Sequence, residues 1–241
     1  KLGYRTAREN LEDLSDPESF LEFGEFAVAA QRSRIEYEEL QKETTTDGVI
    51  TGFCKINSKE VGESKANAIG IVYDYSVLAG TQGFFHHQKL DRITEQAEKF
   101  KLPIVIFTEG GGGRPGDVDV MTQIAGLNIP TFSNWARLSG NCLKIAIANG
   151  YCFAGNAALF GCSDFRIATK NSWIGMAGPA MIEGGGLGVF DPKQIGPSET
   201  QEKNGVIDYL AQDEEEATLI AKKLLSYFQG AISEYSLGNQ S

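Results

Sequence analysis

NGYCFAGNAALFGCSDFRIATKNSWIG, residues 149–175, follows directly on LKIAIA, residues 143–148. LKIAIA is a short, almost wholly apolar run, the pattern of a strand buried on both faces of a parallel sheet. Beyond it the chain turns through Gly155 into AALFG, which reads as a helix. The first amides of a helix have no intrahelical acceptor, so a strand that ends on a glycine and turns into a helix presents free N–H groups outward. Oxyanion holes are built this way. Gly155 and Asn156 occupy that turn, and the competing use of Gly155 is close helix packing alone. FRIATKNSWIG continues as a further strand pair.

Upstream the same order recurs. IVIFTE, residues 104–109, is a second strand, apolar through Phe107, and runs into TEGGGGRPGD, residues 108–117. Four glycines after a buried strand let the backbone approach a ligand and line up successive amides toward negative charge. The loop lacks the GK[ST] of a P-loop and the helix start with a distant acid of a dinucleotide fingerprint. A flexible surface turn is its other reading, and a plain surface cation that of Arg114. Before this strand, GFFHHQKLDRITEQAEKFKL carries Phe85, Leu90, Ile93 and Ala97 at helical spacing, ended by Pro103. The preceding VLAGTQG places Gly80 and Gly83 ahead of that helix, with Lys89 and Arg92 one turn apart, as a phosphate cradle would require. His86 and His87 read as ordinary surface or partly buried histidines, and Phe84, Phe85 and Trp135 as core.

GVITGFCKIN and AIGIVYDYSVL read as two strands of a hairpin about a charged turn, residues 57–64. Before residue 47 the spacing predicts a helical arm, residues 1–46, with Asp16 capping a helix that starts at Pro17. GPAMIEGGGLGVFDPKQIGPSE is punctuated by glycine and proline and reads as surface. DEEEATLIAKKLLSYF reads as a helix with acids in its first turn and lysines toward its end, matching the helix dipole. Strand, glycine turn and helix in repeated order predict an α/β layered fold with right-handed crossovers.

The 241 residues, 41% of them hydrophobic, suffice for one core of ordinary size. A formal net charge of −10 argues against a general nucleic-acid or anionic-membrane surface, while leaving room for a local basic pocket. Four singly spaced cysteines and two histidines indicate neither a zinc site nor a disulfide scaffold and suit a reducing cytoplasm. The polar start is unlike a signal peptide, and a start at Lys1 with an end in SLGNQS is what a segment of a longer polypeptide would show.

GYCFAGNAALFGCSDFRIATKNSWIG resembles the strand, oxyanion turn and helix of the crotonase superfamily. AGTQGFFHHQKLDR, TEGGGGRPGD and GPAMIEGGGLG, in that order with it, resemble the N-terminal half of biotin-dependent acyl-CoA carboxyltransferases, and most of all those of large single-chain acyl-CoA carboxylases. The likeness spans nearly the whole chain. It implies a single crotonase-like (ClpP/crotonase) ββα spiral over residues 1–241, with the helical arm, a core over 47–241 and a C-terminal helix. It implies acyl-CoA as substrate, carboxybiotin on a carrier domain as carboxyl donor and no metal. Its partners would be a C-terminal carboxyltransferase half, a biotin carboxyl carrier and a biotin carboxylase, in a dimer or higher oligomer. The family's oxyanion pair falls on Gly155 and Asn156, where asparagine replaces the second glycine and its side chain is expected to narrow the pocket. The earlier glycine loop falls on Gly111, Gly112 and Gly113. CoA contacts are expected at Gly80, Gly83, Lys89, Arg92 and Arg114.

The alternatives are a free-standing enoyl-CoA hydratase or isomerase and a catalytically silent assembly module. The two hydratase glutamates would fall on Ala158 and about Gly178, with Glu183 close to the second. A ClpP-like protease needs a serine after the oxyanion turn, which FAGNAAL lacks.

Overall fold

A computed structural model describes residues 4–120 and 129–230. In chain order its main elements are α1 (Ala7–Leu14), β1 (Leu21–Phe23), α2 (Tyr37–Glu43), β2 (Val49–Lys55), α3 (Ser58–Val61), β3 (Asn67–Tyr73), α4 (Phe84–Phe100) and β4 (Ile104–Phe107). They continue with α5 (Thr131–Arg137), β5 (Lys144–Ala148), β6 (Tyr151–Phe153), α6 (Gly155–Gly161), β7 (Phe165–Thr169) and β8 (Trp173–Gly175). The last are α7 (Pro179–Gly184), α8 (Ser198–Lys203), β9 (Tyr209–Ala211) and α9 (Glu214–Ser226).

Seven strands form one sheet in the order β1-β2-β3-β4-β5-β7-β9. The first three are antiparallel, and from β3 onward every pairing is parallel, with Ile69 opposite Ile104, Ile104 opposite Lys144 and Ile145 opposite Phe165. β6 and β8 make a separate two-stranded parallel sheet. The apolar runs of β4 and β5 are buried on both faces, as their uniform composition requires. One face packs Ile69, Ile71, Ile104 and Ala146 against Leu90 and Ile93 of α4, Trp135 of α5 and Phe160 of α6. The other packs Val72, Val105, Ile145 and Ile167 against Leu11 of α1 and Leu225 of α9. Asp213 caps α9 by accepting from the Glu216 amide, and Glu214 to Glu216 sit in the first turn as the dipole favours.

Three expectations change. The arm is only partly helical: Asp16 accepts from the Ser58 amide rather than capping its own segment, Glu18 turns to φ 59°, and residues 21–23 pair with β2. The strands in 165–175 do not pair with each other, since β7 joins the main sheet and β8 joins β6. His86 and His87 are both buried, while Phe84 and Phe85 are only half-buried. Trp135 is core and donates its indole N–H to the Leu159 carbonyl. Among the described residues no helix is long and apolar enough to cross a membrane.

Candidate functional site at the glycine turns

Three turns meet beyond the ends of the parallel strands. After β4 the chain runs through Thr108 and Glu109 to Gly110, which takes the Tyr151 carbonyl at 2.7 Å and gives its own carbonyl to the Phe153 amide at 2.9 Å. The glycine loop therefore lies along β6, whose next residues form the turn into α6. The third turn precedes α4: Gly111 N–H donates to the Ala79 carbonyl, and Gln82 N–H donates to the Gly112 carbonyl. The approach is close enough to require glycine. A Cβ at Gly110 would lie 2.1 Å from the Gly80 carbonyl oxygen, and one at Gly80, itself at φ +61°, would lie 2.3 Å from that of Glu109.

Ala154 sets the exit from β6. Its φ of 52° with ψ −118° is sparsely populated for a residue with a Cβ and costs on the order of 1–3 kcal/mol. Its N–H is held by the Gly175 carbonyl at 2.9 Å. The turn it makes leaves the amides of Gly155 and Asn156 at the start of α6 with no protein acceptor among the described residues. A Cβ at Gly112 would lie 3.5 Å from the Gly155 nitrogen, so the glycine loop and the turn border one space. In the loop, the amides of Gly110, Gly111 and Gly112 donate within the protein, whereas Gly113 N–H has no acceptor among the described residues, and a Cβ there would meet nothing within 4 Å. Gly113, Gly155 and Asn156 thus hold the open donors among the described residues. Gln82 Oε1 and the Phe132 ring wall the space beside Gly155.

Asn156 does not narrow this space. Its side chain is fully buried, with Oδ1 accepting from Gly112 N–H at 3.0 Å and Nδ2 facing the Gly80 carbonyl at 3.4 Å. It pins all three turns together, and it occupies the Gly112 amide in doing so.

The expected phosphate cradle is not formed. Asp117 accepts from the Phe84 amide and Asp47 from the His86 amide, so two of the first N–H groups of α4 are already capped. Lys89 is buried and donates to the carbonyls of Thr46 and Val49, and burial lowers its pKa to about 8. Arg114 is buried in an ion pair with Asp47, donates to the Thr81 carbonyl at 2.8 Å and stands 3.6 Å from Asp117. Gly83 leaves room for this network: a Cβ there would lie 2.3 Å from an Arg114 nitrogen. Burial raises the Asp47 pKa against the opposing pull of Arg114. Of the three expected CoA cations, only Arg92 is exposed. His87, hydrogen-bonded to Thr131, is lowered to about 4 by burial, and His86 is lowered by burial and by the Arg114 charge.

Sequence reasoning missed Glu109 and Asn149. Glu109 accepts from the Asn149 amide, and burial raises its pKa to about 7. An acid closing an otherwise apolar strand, IVIFTE, was the available signal.

The carboxyl transferase domain model matches residues 1–236. The chain belongs to the carboxyl transferase domain family. It is 31% identical over 227 residues to the methylmalonyl-CoA carboxyltransferase 12S subunit of Propionibacterium freudenreichii subsp. shermanii, an alignment covering 93% of this chain and 41% of that protein. It is 26% identical to the propionyl-CoA carboxylase beta chain of Saccharopolyspora erythraea, covering 93% of this chain and 39% of that one. The chain thus spans about two-fifths of the length of these relatives. Among solved structures, a single-chain, multi-domain long-chain acyl-CoA carboxylase superposes with a TM-score of 0.93 at 49% identity, covering 99% of this chain and 23% of that one. The transcarboxylase 12S hexamer with hydrolysed methylmalonyl-CoA bound superposes at 0.77 and 30% identity, covering 93% of this chain and 42% of that one. The fold of this carboxyl transferase domain is the crotonase-like α/β fold of those enzymes.

Proposed function

We propose that this chain is the N-terminal carboxyltransferase subdomain of a biotin-dependent acyl-CoA carboxylase, which binds an acyl-CoA and stabilises its enolate. The observation that carries the reading is the set of open amides, Gly113 N–H on the glycine loop and Gly155 and Asn156 N–H at the strained turn, where the loop and the turn border one space. Fixed donors aimed at developing negative charge lower a barrier without reorganising. Among the described residues the side chains beside Gly155, Gln82 and Phe132, carry no titratable group, and in this reading the cradle holds the thioester oxygen and leaves proton removal to another component. Carboxybiotin on a carrier domain supplies the carboxyl group and, after loss of carbon dioxide, the base.

A hydratase needs two carboxylates at the thioester. Ala158 and Gly178 stand where they would fall, and Glu183 lies exposed on α7. The segment leading from β8 through α7 exposes Met176, Met181, Leu187 and Val189. Ala154 bonds to its first residue, Gly175, so this apolar segment starts at the cradle. The second carboxyltransferase half, or its copy in a dimer, covers it in this reading, and cytoplasmic biotin carboxylase and carrier components complete the cycle.

In the complete protein, Gly155→Pro removes one open N–H and should lower kcat about 10²-fold or more, the scale of a lost oxyanion donor. Glu183→Gln should change it less than about threefold, because that carboxylate moves no proton in this scheme. Hydration of crotonyl-CoA by this chain alone, abolished by Glu183→Gln, would refute the assignment.

A further inference from the structure

Gln82 has three of its four polar atoms committed inside the protein. Its N–H donates to the Gly112 carbonyl at 2.7 Å, its carbonyl accepts from the Arg114 amide at 2.9 Å, and its side-chain Nε2 donates to the Tyr73 hydroxyl at 2.8 Å. Tyr73 ends β3 in the core at 2% exposure, with its ring 4.6 Å from that of His86, so the anchor is itself fixed. The carboxamide cannot turn without breaking a buried hydrogen bond. Oε1, the fourth atom, has no hydrogen-bond donor among the described residues. The residue is 3% exposed, yet this oxygen is not sealed off, unlike the unpartnered side-chain atoms of Asn10, His86 and Asn149. It stands against the turn into α6, where a Cβ at Gly155 would lie 2.2 Å from it. Glycine at 155 therefore lets an acceptor stand beside the open amides.

The chemistry of that oxygen selects its partner. A carboxamide oxygen only accepts, and an acceptor left without a donor in a largely buried place is costly. The amides at the turn draw a negative oxygen, whereas Oε1 repels one. Its partner is therefore an N–H or O–H on the same ligand, a short way from the oxygen that the amides hold. A CoA thioester carries such a group on one side only. Its thiol arm has a secondary amide N–H beyond two methylenes from the sulfur, while a plain acyl chain offers no donor.

We propose that Gln82 is a specificity-determining residue whose Oε1 accepts the first amide N–H of the thioester's thiol arm, an assignment that rests on the thioester reading above. The acceptor beside the donors fixes which way the thioester lies across the turn. Tyr73 acts through Gln82 as a positioning residue, holding the carboxamide with its oxygen toward Gly155.

The probes are S-acetyl-N-acetylcysteamine, which carries that amide, and S,O-diacetyl-2-mercaptoethanol, the same molecule with oxygen in place of the N–H. Both are titrated into the complete protein by ligand-observed NMR, and both are tried as carboxyl acceptors. The parent should bind the amide about tenfold or more tightly than the ester, since a site built to accept an N–H rejects the analogue lacking it. Gln82→Met keeps the side-chain length without an acceptor, and should bring the preference to about twofold or less. Tyr73→Phe frees the carboxamide to turn; it should reduce the preference at least about threefold, and serves if the first variant does not fold. Binding of neither probe by the parent would remove the thioester reading and this proposal with it. Equal binding of both by the parent, or a preference that survives both variants, would overturn the proposal alone. So would a fall in kcat of the same size with both probes in Gln82→Met, which would make the carboxamide a donor to the thioester oxygen. Loss of free-biotin affinity in Gln82→Met with the thioester preference intact would give Oε1 to a urea N–H instead, and overturn it equally.

Discussion

Asn156→Ala isolates the device that holds the three glycine turns together. The side chain is fully buried and bonds to Gly112 N–H at 3.0 Å and toward the Gly80 carbonyl at 3.4 Å. Truncation removes both contacts, each worth about 0.5–1.5 kcal/mol net, and leaves the buried Gly112 amide without its acceptor, a penalty of about 1–3 kcal/mol. Since Gly112 is buried and its Cβ direction is closed by Ala154, entry of a compensating water is hindered. The expected loss is about 2–4 kcal/mol, or roughly 5–15 °C in melting temperature for a chain of this size. The Asn156 N–H survives the change, so in the complete protein kcat should fall by less than the loss of the Gly155 donor causes. Urea denaturation of the chain gives the stability term, and carboxyl transfer by the complete protein gives the rate. A melting temperature within about 1 °C of the parent would refute the pinning role. A rate loss as large as that of Gly155→Pro without loss of stability would place the Asn156 side chain in the reaction itself.

Arg114→Met strands the Asp47 carboxylate at a fully buried position, and should cost about 3–5 kcal/mol in denaturant, while the CoA affinity of the folded protein stays unchanged. A selective loss of CoA binding with intact stability would return Arg114 to the ligand. Glu109 has its folded pKa raised to about 7 from 4.5, so between those values the unfolded chain holds fewer protons than the folded one and stability falls as pH rises. Glu109→Gln should remove that slope, visible as a difference from the parent protein in melts across about pH 4.5–7, and should stabilise most above pH 7. The buried His86 and His87 act oppositely, lowering stability as pH falls below 6.5, so only the difference between the two proteins reads Glu109. Equal slopes in both would show that Glu109 ionises normally.

β4 and β5 were legible because burial on both faces leaves a run of apolar residues and the glycines after them end it. α4 and α9 were legible from periodicity and from the charges in the first turn of α9. β1 was not, because a three-residue strand carries no periodicity and Asp-Pro-Glu serves a turn as readily as a helix start. The ionic network was hidden for a different reason. Arg114 and Asp47 lie 67 positions apart, and a cation beside glycines reads the same whether it faces a phosphate or a buried carboxylate. For Lys89 the sequence shows a charge at helical spacing, while its partners are backbone carbonyls that no residue type announces. Asn149 and Glu109 became visible as a pair only when β4 and β5 stood side by side.

The asparagine at position 156, where the resemblance leads one to expect a second glycine, then has a physical account. An oxyanion donor is a backbone group, so its identity is indifferent to the side chain as long as the turn keeps its shape. The shape here is costly: Ala154 sits in a strained region, Gly80 and Gly110 bring carbonyl and Cα closer than any Cβ allows, and the loop's amides need acceptors. With glycine at 156, Gly112 N–H would lose its side-chain acceptor and Gly80 would face a void. Asparagine supplies an acceptor for the first and a donor for the second while directing its bulk inward. The neighbours are then constrained in turn, because a Cβ at Gly110 would lie 2.2 Å from Asn156 Nδ2. In the proposed scheme the open donors of Gly113, Gly155 and Asn156 are held in place by the Asn156 side chain, Gly110 and Arg114, so changes at these positions would reach the reaction through the geometry of the amides.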